Sequence, residues 1–292
     1  MSIKIKTAQE IERMRIAGAL AAEILEMIEP HIKEGVTTDE LNQICHDYGI
    51  EKGAYSAPLD YHGFPKSICT SINHIVCHGI PASQDEIGSN GQPKPAVLKN
   101  GDIINVDITV IIPDDENADL STRPAGYHGD TSKMFLVGDV SPADKRLCMV
   151  AQEALYIGMR KVKPGATVGD IGTAIEKYIK ENNKKNPRNK FSIVKDFCGH
   201  GIGNEFHEEP QVVHYKNSDR RVLKEGMCFT IEPMINAGKF GCSVDAEDDW
   251  TVYTGDGKNS AQWEHTLLVT ATGCEVLTLR SEEDIPRLMK NA

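Results

Sequence analysis

The chain has no apolar run approaching the roughly 18 residues that a membrane span needs. Its start, Met1 to Thr7, soon gives way to charged residues and carries no apolar signal-peptide core. It also lacks an excess of positive charge: a formal net charge of −11 argues against binding nucleic acid or an anionic membrane as its main business. Its eight cysteines (45, 69, 77, 148, 198, 228, 242 and 274) include no CxxC pair, which argues against a disulfide framework or a zinc knuckle. Reduced thiols in a cytoplasmic protein are expected. What remains is a globular chain of 292 residues, 40 % apolar, with ample length for a large core.

The densest chemistry lies in one stretch. Cys198 to Pro210 packs two histidines, three glutamates and three glycines into thirteen positions. A glycine on each side of His200 lets another backbone or a substrate come close. Imidazole is the usual side chain for holding a metal or moving a proton near neutral pH. Alone, the stretch reads equally well as a polar loop with two solvated histidines, so its meaning depends on partners elsewhere.

Those partners emerge from the order of elements. Thr7 to Glu10 has capping-box form, and Ile11, Met14, Ala17, Ala21, Ile24 and Ile28 follow at helical spacing to about Pro30. Thr37 to Glu40 opens a second helix with Leu41, Ile44, Cys45 and Tyr48 on its apolar face. Short strands and turns are expected from Ala54 to Pro81, and a surface loop over Ala82 to Ala96. Asp102 to Ile112 alternates as a strand, with Ile104, Val106, Ile108 and Val110 on one face and Asn105, Asp107 and Thr109 on the other. A polar insertion, Pro113 to Ala125, precedes a strand over Met134 to Val137. The pattern then restarts, with helices opening at Ser141 and Thr167 and strands at Phe191, Met227 and His265.

Leu98 to Asp107 aligns without a gap on Leu223 to Glu232. Each segment carries Leu-Lys-x-Gly and, six residues after the Gly, a carboxylate on the polar face of its strand. Cys77-His78-Gly79-Ile80 likewise echoes Gly199-His200-Gly201-Ile202. The chain therefore reads as an internal duplication, two α+β halves folded around one shared site.

Repetition makes Asp107 and Glu232 poor candidates for ordinary edge residues. Asp130 and Glu264 are two further carboxylates, placed by the sequence where strands begin. Burying four carboxylates together without cations is prohibitive, because desolvation and like charges both oppose ionisation. Two divalent metals cancel four negative charges. Oxygen-rich ligands with a single imidazole suit Mn, Fe or Co better than a structural zinc site.

Cys77 to Pro81, Asn105 to Asp107, His128 to Ser132, Gly199 to Pro210, Phe229 to Met234 and Ser260 to Thr266 together resemble the type I methionine aminopeptidases. They occur in that family's order and span nearly the whole chain. The resemblance implies a pseudo-twofold pita-bread α+β fold, an antiparallel β-sheet flanked by two helix pairs. Residues 1–292 then form one catalytic domain of two related halves, about 7–137 and 141–280. It implies a dinuclear site of Asp107, Asp130, His200, Glu232 and Glu264, in which Asp130 and Glu264 bridge both metals, Asp107 chelates one, and His200 and Glu232 complete the other. By the same resemblance, the metals would activate a hydroxide for attack on the first peptide bond, and the N-terminal methionine of nascent polypeptides would be removed, mainly before a small second residue. The resemblance also implies that His207 contacts the carbonyl oxygen, His78 contacts the scissile nitrogen, and Glu232 shuttles the proton. Pro58, Tyr61, Phe64, Cys69, Phe206 and Trp250 match the methionine pocket, although core packing is the other reading of each. The metals are expected to be Fe, Mn or Co, and the protein a monomer without membrane contact. The basic run Lys184 to Lys190 offers a transient ribosome contact, opposed by the acidic segment Asp245 to Asp249.

The family usually joins the Asp107 and Asp130 strands by a tight turn, so the insertion at 113–125 is a departure, as is another at about 84–95. A prolidase or aminopeptidase P of the same fold is the rival enzyme, and a pita-bread binding protein that has lost catalysis is the rival of another class. The register across the insertion can be tested: Glu232→Ala should nearly abolish turnover, and Asp119→Ala should leave it largely intact. An inactive Asp119→Ala variant would move the ligand into the insertion and overturn the choice of Asp130.

Overall fold

A computed structural model describes residues 3–87, 94 and 96–284. The expected loop at 84–95 lies mostly outside them. Four α-helices occur among the described residues, and a Thr or Ser cap starts each. Thr7, Thr37 and Thr167 precede α1 (Ala8–Ile28), α2 (Thr38–Glu51) and α4 (Val168–Lys185). Three residues on, a carboxylate reaches back to accept from the cap's own N–H: Glu10 at 2.7 Å, Glu40 at 2.8 Å and Asp170 at 2.8 Å. Ser141 caps α3 (Pro142–Met159), which has Pro at its first position. The first helix ends at Ile28 and continues as a 3-10 turn over Glu29–His31.

β4 (Ile103–Pro113) and β5 (Gly126–Leu136) form an antiparallel ladder, with Ile103 opposite Leu136 and Pro113 opposite Gly126. Asp130 therefore sits in mid-strand rather than at a strand's start. β1 (Tyr55–Ser56) and β2 (Cys69–Ile72) pair along the other edge of β4. The second half builds the same ladder in two pieces. β9 (Cys228–Ile231) pairs with β14 (His265–Val269), and β10 (Met234–Asn236) pairs with β13 (Ser260–Gln262). Both pieces keep one register, with Ile231 opposite His265 and Met234 opposite Gln262, so Glu232 and Glu264 fall opposite each other in the gap. Pro233, which has no N–H to give, occupies that gap too.

β7 (Gly199–Gly201) and β8 (Glu208–Val212) extend the free edge of β9, and β15 (Cys274–Val276) covers β14. β6 (Ser192–Ile193) pairs with β10. A separate strip joins β3 (Ile75–Cys77), β12 (Val252–Thr254) and β11 (Cys242–Val244).

The duplication extends to single hydrogen bonds. Gly35 N–H donates to Leu98 O and Gly165 N–H to Leu223 O; Gly101 N–H donates to Val137 O and Gly226 N–H to Val269 O. Gly101 and Gly226 have φ of +95° and +86°, a turn conformation that a side chain would strain. This is why Leu-Lys-x-Gly recurs in the sequence.

Two cores lie under the two helix pairs. Leu20, Ile24, Ile28 and Leu41 pack with Ile104, Val106 and Phe135 in one. Leu147, Leu155, Ile171 and Ile175 pack with Phe229, Ile231 and Leu267 in the other. Each such side chain contributes about 1.5–3 kcal/mol by leaving water. The other half covers the polar face of β4, burying Asn105 and Thr109 and leaving Asp107 to face a cavity. Asn105 is 2 % exposed, and its Nδ2 donates to Gln262 O at 2.9 Å. Glu264 N–H donates to Ser132 O at 3.1 Å, and Thr266 Oγ1 donates to Asp130 O at 2.7 Å, tying the halves together.

Behind that seam Arg280 is buried. Its Nη2 lies 2.9 Å from Glu283 Oε1 and 3.1 Å from His265 Nε2, and Nη1 donates to Thr131 Oγ1 at 2.9 Å. Tyr156 hydroxyl also donates to Glu283. Burial opposes ionisation of Glu283, but His265, Arg280 and Tyr156 outweigh it and hold the carboxyl well below its usual range. A depressed carboxyl pKa stabilises the fold above the unfolded value, and that contribution is lost as pH falls. Removing the charge takes from buried Arg280 its closest anion and leaves only the exposed Glu282 at 3.6 Å, so Glu283→Gln should destabilise by about 3 kcal/mol in chemical denaturation. Glu12→Gln, which breaks an exposed pair with Arg15, should change stability by less than about 1 kcal/mol. Equal small effects would show that the buried cluster does not hold the seam.

Candidate metal centre

The strand registers explain how distant carboxylates meet. Asp107 lies opposite Ser132 and Thr109 opposite Asp130, so Asp107 and Asp130 are diagonal neighbours on one face of the β4–β5 ladder. Glu232 and Glu264 face each other across the gap in the second ladder. Glu264 N–H then meets Ser132 O, which brings the two pairs to one place.

His200 arrives from β7. A Cβ at Gly199 would stand 2.4 Å from Thr230 O, and one at Gly201 would stand 2.1 Å from Glu209 O, so only glycines let β7 lie this close to its neighbours. His200 Nδ1 donates to Gly201 O at 3.0 Å, leaving Nε2 as a lone-pair donor. Nε2 lies 3.5 Å from Asp130 Oδ2 and 3.6 Å from Glu232 Oε1. One ligand atom each from Asp130, His200 and Glu264 fall within 4.8 Å of one another.

The neighbours orient these groups. Thr109 Oγ1 donates to Asp130 at 2.7 Å. Thr230 Oγ1 accepts from His200 N–H at 3.0 Å and donates to Glu232 Oε1 at 2.8 Å. Gln262 Nε2 donates to Glu232 Oε2 at 3.1 Å. The sequence reading did not single out Thr230 or Gln262. Their signal was present, since each stands two residues before a candidate ligand and therefore on the same strand face.

The cluster is electrostatically frustrated by itself. Burial, then the charges of Asp130 and Glu232, push Asp107 well above the usual carboxylate range. Burial followed by Asp130, Glu232 and Asp107 does the same to Glu264. Burial raises Glu232 to about 7, although His200 pulls it down. Burial would lower His200, but its bond to Asp130 and the charge of Glu232 prevail and raise it. Asp107 Oδ1 and Gln262 Oε1 are buried with no hydrogen-bond partner. An orphaned carboxylate oxygen among three other carboxyls and an imidazole is a donor set that fits hard divalent cations.

The thirteen residues singled out for the site all line one cavity of about 440 Å³. Tyr61, Phe64, Phe206 and Trp250 form its aromatic side, with Pro58 and Cys69 beside them. Trp250 meets Phe64 edge-on at 5.3 Å. His78 has φ of +55°, a costly conformation for a non-glycine residue, and stands edge-on to Phe197 at 5.6 Å and Trp250 at 5.8 Å. His207 Nδ1 lies 2.8 Å from the Tyr61 hydroxyl. Burial lowers His78 to about 4 and His207 to about 3, so both are neutral at pH 7. Glu208 and Glu209 also border the cavity but are paired outward, Glu208 with Lys6 at 2.6 Å and Glu209 with Arg221 at 2.5 Å. Phe197, outside every motif, and Met234, at the end of the Phe229 to Met234 motif but not singled out as a pocket residue, complete the wall.

This fold and this ligand cluster define a metallopeptidase: the model of metallopeptidase family M24 matches residues 12–271, and the chain belongs to that family. The methionine aminopeptidase of Escherichia coli (strain K12) is 50 % identical over 293 aligned residues, covering 100 % of this chain and 99 % of that protein. A crystal structure of the methionine aminopeptidase from Rickettsia prowazekii superposes with a TM-score of 0.82 at 46 % identity, covering 95 % of this chain and 100 % of that one. Within the family, then, the chain falls among the methionine aminopeptidases. The Xaa-Pro dipeptidase of Bacillus anthracis shares the fold, with a TM-score of 0.67 at 22 % identity, but this chain covers only 63 % of it. No helix among the described residues is long and apolar enough to cross a membrane.

Because Glu232 is raised to about 7, and Asp107 and Glu264 are pushed up as well, a cation binding here competes with protons. Calorimetric titration of the chelated protein with Mn²⁺, in buffers of differing ionisation enthalpy, should show proton release and an affinity that weakens as pH falls from about 8 to 6. Binding with no proton release at pH 6.5 would place the cation elsewhere.

Proposed function

We propose that this chain removes the N-terminal methionine from nascent proteins and peptides, mainly when the second residue is small, as a cytoplasmic monomer holding two divalent cations. The observation that carries the reading is the convergence of ligands from both halves beside a cavity whose other wall is aromatic. Asp107, Asp130, His200, Glu232 and Glu264 would hold the cations, and their oxygen-rich donor set favours Mn, Fe or Co. Bound there, such cations supply Lewis acidity and acidify a water molecule.

The chain's own residues do the rest. Tyr61, Phe64, Phe206, Trp250, Pro58 and Cys69 offer the methionine thioether an apolar slot. His207 is neutral, and burial raises the Tyr61 phenol pKa and keeps its proton. With that hydroxyl donating to Nδ1, Nε2 carries the imidazole proton and serves as donor to the substrate carbonyl oxygen. His78, fixed between Phe197 and Trp250, contacts the scissile nitrogen and crowds the position of the second residue. Glu232, steered by Thr230 and Gln262, moves the proton to the leaving amine.

The two related halves, about 7–137 and 141–280, act as one catalytic unit. The basic turn offers a ribosome contact: Arg188 and Lys190 border a second hollow with Arg146, Lys239 and Lys258, five cations that outnumber the two aspartates there, Asp144 and Asp256.

The test compares Met-Ala-Ser, Met-Lys-Ser and Ala-Pro-Ser after chelation and reloading with Mn, Fe or Co. Met-Ala-Ser should be cleaved fastest, Met-Lys-Ser poorly and Ala-Pro-Ser not at all, and chelation should abolish turnover. Preference for Ala-Pro-Ser would favour the proline-directed reading, and no cleavage by any loaded form would favour a binding protein.

A further inference from the structure

The excursion between β4 and β5 interrupts a hairpin that the family closes tightly, and the reaction outlined above makes no use of it. One side chain of this insertion turns back against Tyr61, which lines the cavity. Arg123 is exposed as a residue, yet its Nη1 donates to Ala57 O at 2.5 Å and its Nη2 stands 3.2 Å from His128 Nε2. Its Cζ lies 5.1 Å over the Tyr61 ring. A guanidinium has only donors, so His128 Nε2 accepts, and the imidazole proton is placed on Nδ1, which donates to Gly203 O at 2.9 Å. His128 is thereby held as one tautomer in one orientation.

From His128 the contacts run to the substrate side. The His128 ring stacks on Phe206 at 5.5 Å and 22°, and Phe206 stacks on His207 at 4.4 Å and 16°. His207 Nδ1 meets the Tyr61 hydroxyl, and Tyr61 lies under Arg123 again. The contacts close a ring: Arg123, His128, Phe206, His207, Tyr61 and back to Arg123. Four of its members sit on the shared scaffold, and the fifth is supplied by the insertion.

We propose that Arg123 is a positioning residue that clasps His128 and Tyr61 and so fixes Phe206 and His207 against the substrate, making the insertion a working part of the pocket. The inference rests on the methionine aminopeptidase reading for its kinetics but not for its geometry. In the metal-loaded enzyme, Arg123→Ala should lower kcat for Met-Ala-Ser about tenfold, because small misplacements of a catalytic group cost one to two orders of magnitude. The melting temperature and Mn²⁺ stoichiometry should be unchanged, and Glu116→Ala, at an exposed site in the same insertion, should match the wild type. Arg123→Lys should recover only part of the loss, since one ammonium cannot reproduce the fork. In a Tyr61→Phe background, where the ring is already open, Arg123→Ala should cost less than about twofold. Side-chain nitrogen NMR should show His128 as a single Nδ1–H tautomer that becomes mixed in Arg123→Ala. Unchanged kcat, full rescue by lysine, independent effects of Arg123→Ala and Tyr61→Phe, or an unaltered His128 signal would each overturn the clasp. A wild-type enzyme that never cleaves Met-Ala-Ser would sink the proposed function instead, and the NMR signal would still judge the clasp.

Discussion

Four carboxyl groups withdrawn from water into one site set the terms for this molecule. Asp107, Glu232 and Glu264 are all driven up in pKa, with burial the leading cause and their mutual proximity adding to it. One imidazole, His200, cannot balance them. Such a cluster is a standing cost unless cations share it, and the strand geometry keeps the carboxyls together regardless. The seam bonds from Glu264 and Thr266 to β5, with the buried Arg280–Glu283 pair behind them, supply the stiffness that this repulsion demands.

The pseudo-twofold arrangement makes the assembly economical. One ladder is continuous, and Asp107 and Asp130 come together because antiparallel pairing sets them diagonally on a face. Its counterpart is interrupted at Pro233, and the interruption is where Glu232 and Glu264 sit. The duplicated strand thus delivers Asp107 and Glu232 at matching points. Asp130 and Glu264 are not related in this way: the residue across from Asp107 is Ser132, while the residue across from Glu232 is Glu264. The symmetry builds the scaffold, and local substitution builds the site.

The substrate side depends on a different kind of restraint. Its groups are neutral imidazoles and aromatic rings, held by stacking and by single hydrogen bonds rather than by charge. Two ion pairs, one buried and one partly exposed, absorb the charges that would otherwise compete there. Lys6 and Arg221 draw Glu208 and Glu209 away from the centre, so the two most conspicuous glutamates of the histidine-rich stretch serve the loop that carries His207.

Much of this was legible in the residues alone. Capping boxes at Thr7, Thr37 and Thr167, alternation along Ile104 to Val110, and the repeated Leu-Lys-x-Gly are local signals, and local chemistry determined the helices, the main strands and the duplication. Asp107 and Glu232 could be named because a repeat is visible in one dimension. Asp130 was placed at a strand's edge when it lies in the middle of β5, since the insertion's polar residues concealed the strand's beginning. The polar face of β4 was read by its alternation, yet only the second half folding over it makes that face buried. Thr230, Gln262 and Arg123 acquire meaning solely from what stands across from them. Which segments repeat and which side chains hold chemistry can be read along the chain, because those depend on neighbours within a few residues. The tertiary structure decided which carboxyls share a site, which glutamates are drawn aside and how the insertion reaches the pocket, because desolvation, charge coupling and stacking act between residues far apart in the chain.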